Sequence, residues 1–331
     1  MHSVPLSLSI VIPVHNEEES LPQLTRELEA VATENDYRLE IVLIDDGSTD
    51  GSWEEIERLA REVDGLRGIR FRRNFGKAAA LNAGFSVASH DIVFTLDGDL
   101  QDDPKEIPQF LEKLESGFDV VSGWKKRRHD PWHKVGPSRV FNWMVGKLTG
   151  VRLHDHNCGF KCYRKAVVEG VDLYGELHRF VPVLAAAKGW KVGELVVQHR
   201  ARQYGHSKYG VWRIVKGFLD LTTVFFLTGY SNRPQHFLGA IGLGCFFAGG
   251  IGLSVLTLAW VLSRMFEAFS PVHLHERAIF FYSLAGIVIG AQLMTIGIIA
   301  EMITAFCRAK KDGYTVQAET GTRQADESVI V

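Results

Sequence analysis

The stretch IVFTLDGDLQDDP, residues 92–104, decides how this chain is read. Its first five residues form a short apolar and β-branched run, the pattern of a buried strand. The run stops at Asp97-Gly98-Asp99, and Pro104 opens a helix that extends to Leu114. Two carboxylates bracketing a glycine at a strand end can hold a hard divalent ion beside a diphosphate. Such an ion offsets the negative charge that builds on a leaving nucleotide. Gln101, two residues on, can add an oxygen ligand. Asp-x-Asp alone is also the pattern of a solvated turn, and it is the place after a buried run that favours the metal.

The same grammar recurs on both sides. Residues 8–14 read as a buried strand ending near Pro13, and 17–33 show helical spacing through Leu21, Leu24, Leu28 and Val31. EIVLI (40–44) is a second strand, followed by a turn cluster (45–51) in which Thr49 or Asp50 is placed to cap a helix over 53–63. Residues 66–72 predict a third strand, 77–88 an Ala-rich helix and 119–122 a fifth strand. Strands alternating with helices imply an α/β fold with an open, mostly parallel sheet. Ligands bind such sheets beyond the carboxyl ends of the strands. His15-Asn16-Glu17, Asp45-Asp46 and Asp97-Gly98-Asp99 all fall there, so the sequence predicts that they converge on one crevice.

Composition bounds the function. Hydrophobic residues make up 46% of the 331 and charged residues 23%, which excludes extensive disorder. A formal net charge of -2 gives no reason to expect nucleic acid. The apolar residues concentrate in the last third. Residues 237–262 and 278–300 carry no charge and are long enough to cross a membrane. The link between them, 263–277, holds Arg264 and Arg277 offset by Glu267 and Glu276. Arg213, Lys216, Arg233, Arg308, Lys310 and Lys311 flank the outer ends, which places both chain ends in the cytoplasm. Residues 211–230 read as a pair of interfacial amphipathic helices. The expected organisation is a catalytic domain over 1–210, interfacial helices over 211–234, a two-helix anchor over 235–303 and a polar tail over 304–331. Gly286-x-x-x-Gly290 and the glycines of the first span allow close helix packing and point to a homo-oligomer, with a tetramer among the options. Residues 6–14 lack the basic leader of a signal peptide. Cys158, Cys162, Cys245 and Cys307 read as reduced thiols, with no second close pair to complete a zinc site.

Further residues carry candidate chemistry. Asp45 and Asp46 can accept hydrogen bonds from ribose hydroxyls or a base N–H, or can simply cap a turn. Pro13-Val14-His15-Asn16-Glu17 can close over a base, or start a helix. Lys77, after Asn74-Phe75-Gly76, sits at a helix N-terminus, which favours anions. Lys125, Lys126, Arg127 and Arg128 form a basic run, either a solvated face or the rim of a diphosphate crevice. Arg202 and Lys208, in RARQYGHSKYG (200–210), lie just before the membrane segments, where a lipid phosphate arrives.

The stretches IVIPVHNEEESL, IVLIDDGSTDGS, RNFGKAAALNAGF, TLDGDLQDDP, HDHNCGFKCYRK, ELHRFVPVLAAAKGW and RARQYGHSKYG occur in this order over most of residues 8–210. Together they resemble glycosyltransferase family 2, in its branch of dolichyl- and undecaprenyl-phosphate sugar synthases. The resemblance implies a GT-A type nucleotide-sugar fold, a UDP- or GDP-sugar donor, a polyprenyl phosphate acceptor and a place in the inner (plasma) membrane. It implies Mg²⁺ or Mn²⁺ at Asp97, Asp99 and Gln101. It puts nucleotide contacts at Pro13, His15, Glu17, Ile44, Asp46 and Gly98, and the residues themselves add Asp45, Lys77, Asp97 and Lys125 as donor-side candidates. By motif matching it puts phosphate-binding positions at Lys125, Arg139, Arg202 and Lys208, and the candidates for the acceptor phosphate are Arg139, Arg179, Arg202, Ser207 and Lys208. Asp155 matches the position suspected as base, in a positioning or proton-accepting role. The chain has Lys125 where the family often has arginine, which keeps the charge and loses the bidentate fork. It also has Phe160-Lys161 where Phe-Arg is commoner.

These residues predict an inverting, in-line displacement at the anomeric carbon. A phosphate monoester carries roughly -1.5 to -2 charge near neutral pH, so the demand is for cations that let two anions meet rather than for a strong base. The rivals are a processive membrane polysaccharide synthase, for which Gln-x-x-Arg-Trp is missing, and an inactive scaffold, against which Asp97, Asp99, Arg202 and Lys208 speak.

Overall fold

The computed structural model of the chain describes residues 5–126, 132–171, 173, 175–200, 212–229, 234–266 and 273–308. Two compact units are present, residues 1–229 and 230–331.

In the first unit the elements run β1 (Leu6–Val14), α1 (Leu21–Asn35), β2 (Tyr37–Asp45), α2 (Ser52–Glu62), β3 (Leu66–Arg70), α3 (Lys77–Val87), β4 (Ile92–Thr95), α4 (Ile107–Glu115) and β5 (Val120–Lys125). They continue with α5 (Trp132–Thr149), β6 (Lys161–Arg164), α6 (Lys165–Gly170), α7 (Val181–Ala187), β7 (Val192–Val197) and α8 (Trp212–Gly229). The seven strands form one sheet in the order β3-β2-β1-β4-β6-β5-β7. All neighbours are parallel except β6, which runs antiparallel to both β4 and β5.

The strands read as continuous apolar runs because helices cover both faces. Ile10 and Ile12 of β1 pack with Leu24 and Leu28 of α1 on one face. Val11, between them, packs on the other face with Leu81 and Phe85 of α3. The chain builds outward from β1 through β2 to β3, then returns to lay β4 on the opposite side of β1. That reversal is the switch point at which open α/β sheets bind ligands.

Several boundaries differ from expectation. The first helix begins at Leu21, because Glu17 and Ser20 belong to a turn closed by Ser20 N–H donating to Glu17 O (3.1 Å). The second helix begins at Ser52 with no side-chain cap; Asp50 Oδ1 instead accepts from Ser52 N–H (3.1 Å). Residues 212–229 form one helix rather than a pair. Gly217 does not break it, because that position lies against the ring of Phe141 on α5. Leu221 and Val224 of α8 are buried in the core of the first unit.

The second unit is a hairpin of α9 (Pro234–Met265) and α10 (Ala278–Arg308). Segments of 32 and 27 residues there each have a mean hydropathy of 2.0, and at about 1.5 Å per residue both exceed a ~30 Å hydrocarbon core. Phe247, Ile251, Val255 and Leu258 of α9 and Tyr282, Ile289 and Ile296 of α10 are exposed. An apolar surface of that extent suits lipid better than water, so the two helices are candidate membrane spans. The helices touch through glycine: a Cβ on Gly242 would stand 2.7 Å from Gly290 O, and one on Gly249 2.4 Å from Ser283 O. The close packing legible in the sequence is thus used within the hairpin, while among the described residues nothing from outside the local helix turn comes within 4 Å of a Cβ on Gly244 or Gly250.

Candidate active site

The ends of β1, β2 and β4 meet. A Cβ on Gly98 would lie 3.6 Å from both Pro13 O and Glu17 Cγ. His15 Nδ1 donates to Asp46 O (3.1 Å), Asn16 N–H to Ser48 Oγ (3.0 Å), and Glu17 N–H to Ser52 Oγ (2.9 Å). The loop after β1 is therefore laced to the loop after β2, and Gly98 closes against it, as the sequence anticipates. Ile44 is buried in the strand just before the two aspartates.

The two aspartates divide their work. Asp45 is fully buried, accepts from Ser48 N–H (2.8 Å) and pairs with Arg70 Nε (3.3 Å). Asp46 accepts from Phe75 N–H (2.7 Å) and Gly76 N–H (2.9 Å) with its two oxygens. Asp46 thus fixes the loop that leads into α3 and sets Lys77 at its first position. Gly47, at φ 68°, sits so close to Arg73 that a Cβ would come within 2.4 Å of its carbonyl carbon. Beside it Ser48, Arg70 and Arg73 line a cavity of about 710 Å³.

Lys77 is joined to Asp97 by an ion pair with a hydrogen bond. Burial pushes the Asp97 pKa up, but Lys77, Lys125 and Lys161 together outweigh it and hold the carboxylate well below its usual range. Gly159 backs directly onto Asp97, where a Cβ would lie 2.4 Å from Oδ2. Asp99 is 7% exposed, and its Oδ1 accepts from Gln101 N–H (3.2 Å). Between them Leu100 is fully buried at φ 60°. A leucine in the left-handed region costs roughly 1–2 kcal/mol and persists because its surroundings impose it. Asp102, also buried, pairs with Lys125 Nζ (2.8 Å). Burial opposes the Lys125 charge, but Asp102, Cys158 and Asp97 raise its pKa.

The donor set is of the right chemistry for Mg²⁺ or Mn²⁺. Asp97, Asp99 and Gln101 offer only hard oxygens, and these ions bind through one or two carboxylates with the remaining positions left to water and substrate phosphates. Among the described residues no group of three or more His, Cys, Asp or Glu stands together as a metal site.

The loop before β6 forms another wall. Glu194 of β7 accepts from His154 N–H (2.8 Å) and Asp155 N–H (3.1 Å), and pairs with His154 Nδ1 (2.7 Å). The His154 ring stacks on Trp124 at 4.0 Å. Asp155 is 1% exposed, and its Oδ1 accepts from Asn157 N–H (3.0 Å). His156 is fully buried, with neither ring nitrogen hydrogen-bonded. Burial first and Lys161 second lower its pKa to about 4, so the ring is neutral at pH 7. Lys161 is buried with its Nζ donating to Cys158 O. Burial lowers its pKa, and nearby Lys77 works in the same direction. His178 is kept neutral by burial and by Lys77, Arg179 and Lys161 around it. Arg179 pairs with Glu176 (2.6 Å).

A cleft of about 1260 Å³ opens beside this wall, lined by Trp124, Lys125, Ser138, Arg139, Trp143, Lys147, Arg152 and His154 among others. Lys125 ties the cleft to the carboxylate loop through Asp102. Arg139, expected at an acceptor phosphate, lies exposed on α5 in this cleft. Arg202, Ser207 and Lys208, with Arg127 and Arg128 of the basic run, lie outside the described residues.

The sequence profile of "Glycosyl transferase family 2" matches residues 9–169. The dodecaprenyl-phosphate galacturonate synthase of Rhizobium johnstonii is 38% identical over 304 residues, covering 90% of this chain and 88% of that protein. The chain belongs to glycosyl transferase family 2. The undecaprenyl-phosphate 4-deoxy-4-formamido-L-arabinose transferase of Pseudomonas aeruginosa is 36% identical to this transferase over 312 residues, covering 92% of the chain and 87% of the relative. Two solved structures share its fold. The glucosyl-3-phosphoglycerate synthase of Mycobacterium tuberculosis superposes with a TM-score of 0.51 at 15% identity, covering 67% of this chain and 78% of that one. The mannosyl-3-phosphoglycerate synthase of Rubrobacter xylanophilus does so with 0.54 at 15%, covering 67% and 74%. Around the site stand residues that the sequence did not single out: Asp102, Asn142, Glu194 and Arg200. Asn142 Nδ2 donates to His154 O (2.6 Å). Asp102 lay within a quoted motif and could have been weighed beside its neighbours; a lone glutamate in VGELVV carried no signal.

Proposed function

We propose that the protein transfers one hexose-type sugar from a UDP- or GDP-sugar to a polyprenyl phosphate at the cytoplasmic face of the membrane, with inversion. The observation that carries this reading is the continuity of two regions through one ion pair. The carboxylate loop at the switch point of the sheet is joined by Asp102–Lys125 to a cleft whose far wall bears Arg139, Lys147 and Trp143. The two curated relatives, named for galacturonate and formamido-arabinose transfer to polyprenyl phosphates, support the same acceptor class.

On this reading Asp97, Asp99 and Gln101 would hold Mg²⁺ or Mn²⁺, which supplies charge neutralisation for the departing diphosphate. Pro13, His15, Glu17, Ile44, Asp45, Asp46 and Gly98 surround the nucleotide. Lys77 has two partners available, Asp97 and a donor phosphate, so it can follow negative charge without leaving the site. Arg139, Arg179, Arg202, Ser207 and Lys208 receive the acceptor phosphate. Asp155, buried and held by its neighbours, positions the acceptor rather than generating a nucleophile that is already anionic. Residues 1–210 carry the chemistry, residues 211–234 lie at the interface, residues 235–303 anchor the chain, and the 304–331 tail is cytoplasmic with the N-terminus. Homo-oligomers, tetramers included, form in the membrane on this reading.

The test is a detergent-purified protein given undecaprenyl phosphate, Mn²⁺ or Mg²⁺ and a panel of labelled UDP- and GDP-sugars. The expected result is organic-phase label from one donor, abolished by EDTA. Release of free sugar without lipid-borne label would count against the acceptor, and no turnover with any donor would count against the transferase reading itself.

A further inference from the structure

The carboxylate loop has a brace that the reaction scheme does not use. Asp97, Asp99, Asp102 and Asp103 crowd four like charges into seven residues. Left alone they would splay the loop, and the strained Leu100 in its middle would relax. Asp97 has Lys77, and Asp102 has Lys125. Asp103 has Arg200: Nη2 lies 2.7 Å from Asp103 Oδ2, while Nη1 lies 2.6 Å from Glu27 Oε2 on α1. The backbone of the same residue adds a third tie, Arg200 N–H donating to Gln101 O (3.0 Å). Two residues earlier Gln198 N–H donates to Glu106 Oε1 (2.8 Å). The segment after β7 is therefore stitched along residues 101–106. The backing is firm, because Leu24 and Leu28 on either side of Glu27 are buried in the core.

We propose that Arg200 is a positioning residue for the divalent cation. It clamps the 99–103 loop against α1 so that the oxygens of Asp99 and Gln101 are presented together. A guanidinium does this because its planar fork reaches two carboxylates at once, which a lysine ammonium on a flexible stem does less well. Partners one shell out from a metal set its affinity without touching it. The inference rests on the metal-dependent reading above.

The test counts free Mn²⁺ by electron paramagnetic resonance over the full-length protein in detergent, with UDP or GDP present, and follows thermal unfolding in parallel. Arg200→Met is expected to weaken Mn²⁺ binding about tenfold while the protein stays folded at the assay temperature. Arg200→Lys is expected to recover part of that loss, and Glu27→Gln, which leaves the Asp103 limb intact, to lose less than Arg200→Met. Unchanged Mn²⁺ affinity in Arg200→Met would overturn the inference alone, since the wild type would still bind. So would an affinity loss that disappears when the variant is assayed at a temperature where it is fully folded, because the role would then be structural. A wild type that binds no Mn²⁺ with either nucleotide would overturn this inference together with the metal-dependent reading.

Discussion

The two sides of the site are built differently. On the side proposed for the donor, four carboxylates at the strand ends already have partners within the protein: Asp45 with Arg70, Asp46 with two backbone N–H groups, Asp97 with Lys77 and Asp102 with Lys125. On the side proposed for the acceptor, Arg139, Lys147 and Trp143 stand exposed along α5. The contrast teaches where order is needed in advance. A nucleotide diphosphate and its cation must be met by fixed dipoles, because reorganising them during reaction costs rate. A lipid phosphate arrives from the membrane, and exposed cations on a helix can meet it without a prebuilt cage.

That contrast can be broken by mutation. The largest effect belongs to the carboxylate loop: Asp99→Asn is expected to lower kcat/KM on the order of 1000-fold with little change in thermal stability, and a loss below tenfold would remove Asp99 from the reaction. Next comes the seam between the two sides. His156 has a folded-state pKa near 4 against an ordinary value of 6.5. The unfolded chain therefore takes up the proton first, and stability present above pH 6.5 is lost as pH falls toward 4, by about 3 kcal/mol. His156→Phe, which cannot protonate, is expected to flatten the dependence of Tm on pH across that window, and parallel pH profiles for the two proteins would contradict it.

The third effect is on the donor scaffold. Asp46→Ala strands the Phe75 and Gly76 N–H groups and is expected to cost about 2 kcal/mol of stability and to raise the donor KM, leaving the acceptor KM unchanged. The smallest sharpens the other half of the comparison. Arg139→Ala with Lys147→Ala is expected to raise the acceptor KM about tenfold, as for the loss of charge-assisted contacts to a phosphate, with the donor KM and Tm unchanged. If donor and acceptor KM moved together in both variants, the division of the site would be wrong.

How much was legible follows from where the signals lie. β1, β2 and β4 could be read because their C-terminal halves are buried on both faces, so mostly apolar runs lead into the loops that carry His15, Asp46 and Asp97. The convergence of those ends followed from the parallel alternation alone. β6 and β7 were silent: KCYR is four residues long and half basic, and VGELVV carries Glu194 at its centre because that carboxylate is needed by the loop across from it. α5 was missed because Gly136 and Pro137 read as breakers and its apolar residues do not follow one face. Ion pairs such as Lys125–Asp102 and Arg200–Glu27 join residues far apart in sequence. No local pattern marks them, and only the folded sheet brings them together.

The central claim is tested most directly by the mass of the lipid product. Unlabelled undecaprenyl phosphate is incubated with the protein, the divalent cation and the donor that passes the panel, and the organic phase is weighed by mass spectrometry. The account predicts one new species, heavier than the acceptor by a single glycosyl residue and no additional phosphoryl group. A ladder of masses, a diphosphate-linked sugar or an unchanged acceptor would contradict it.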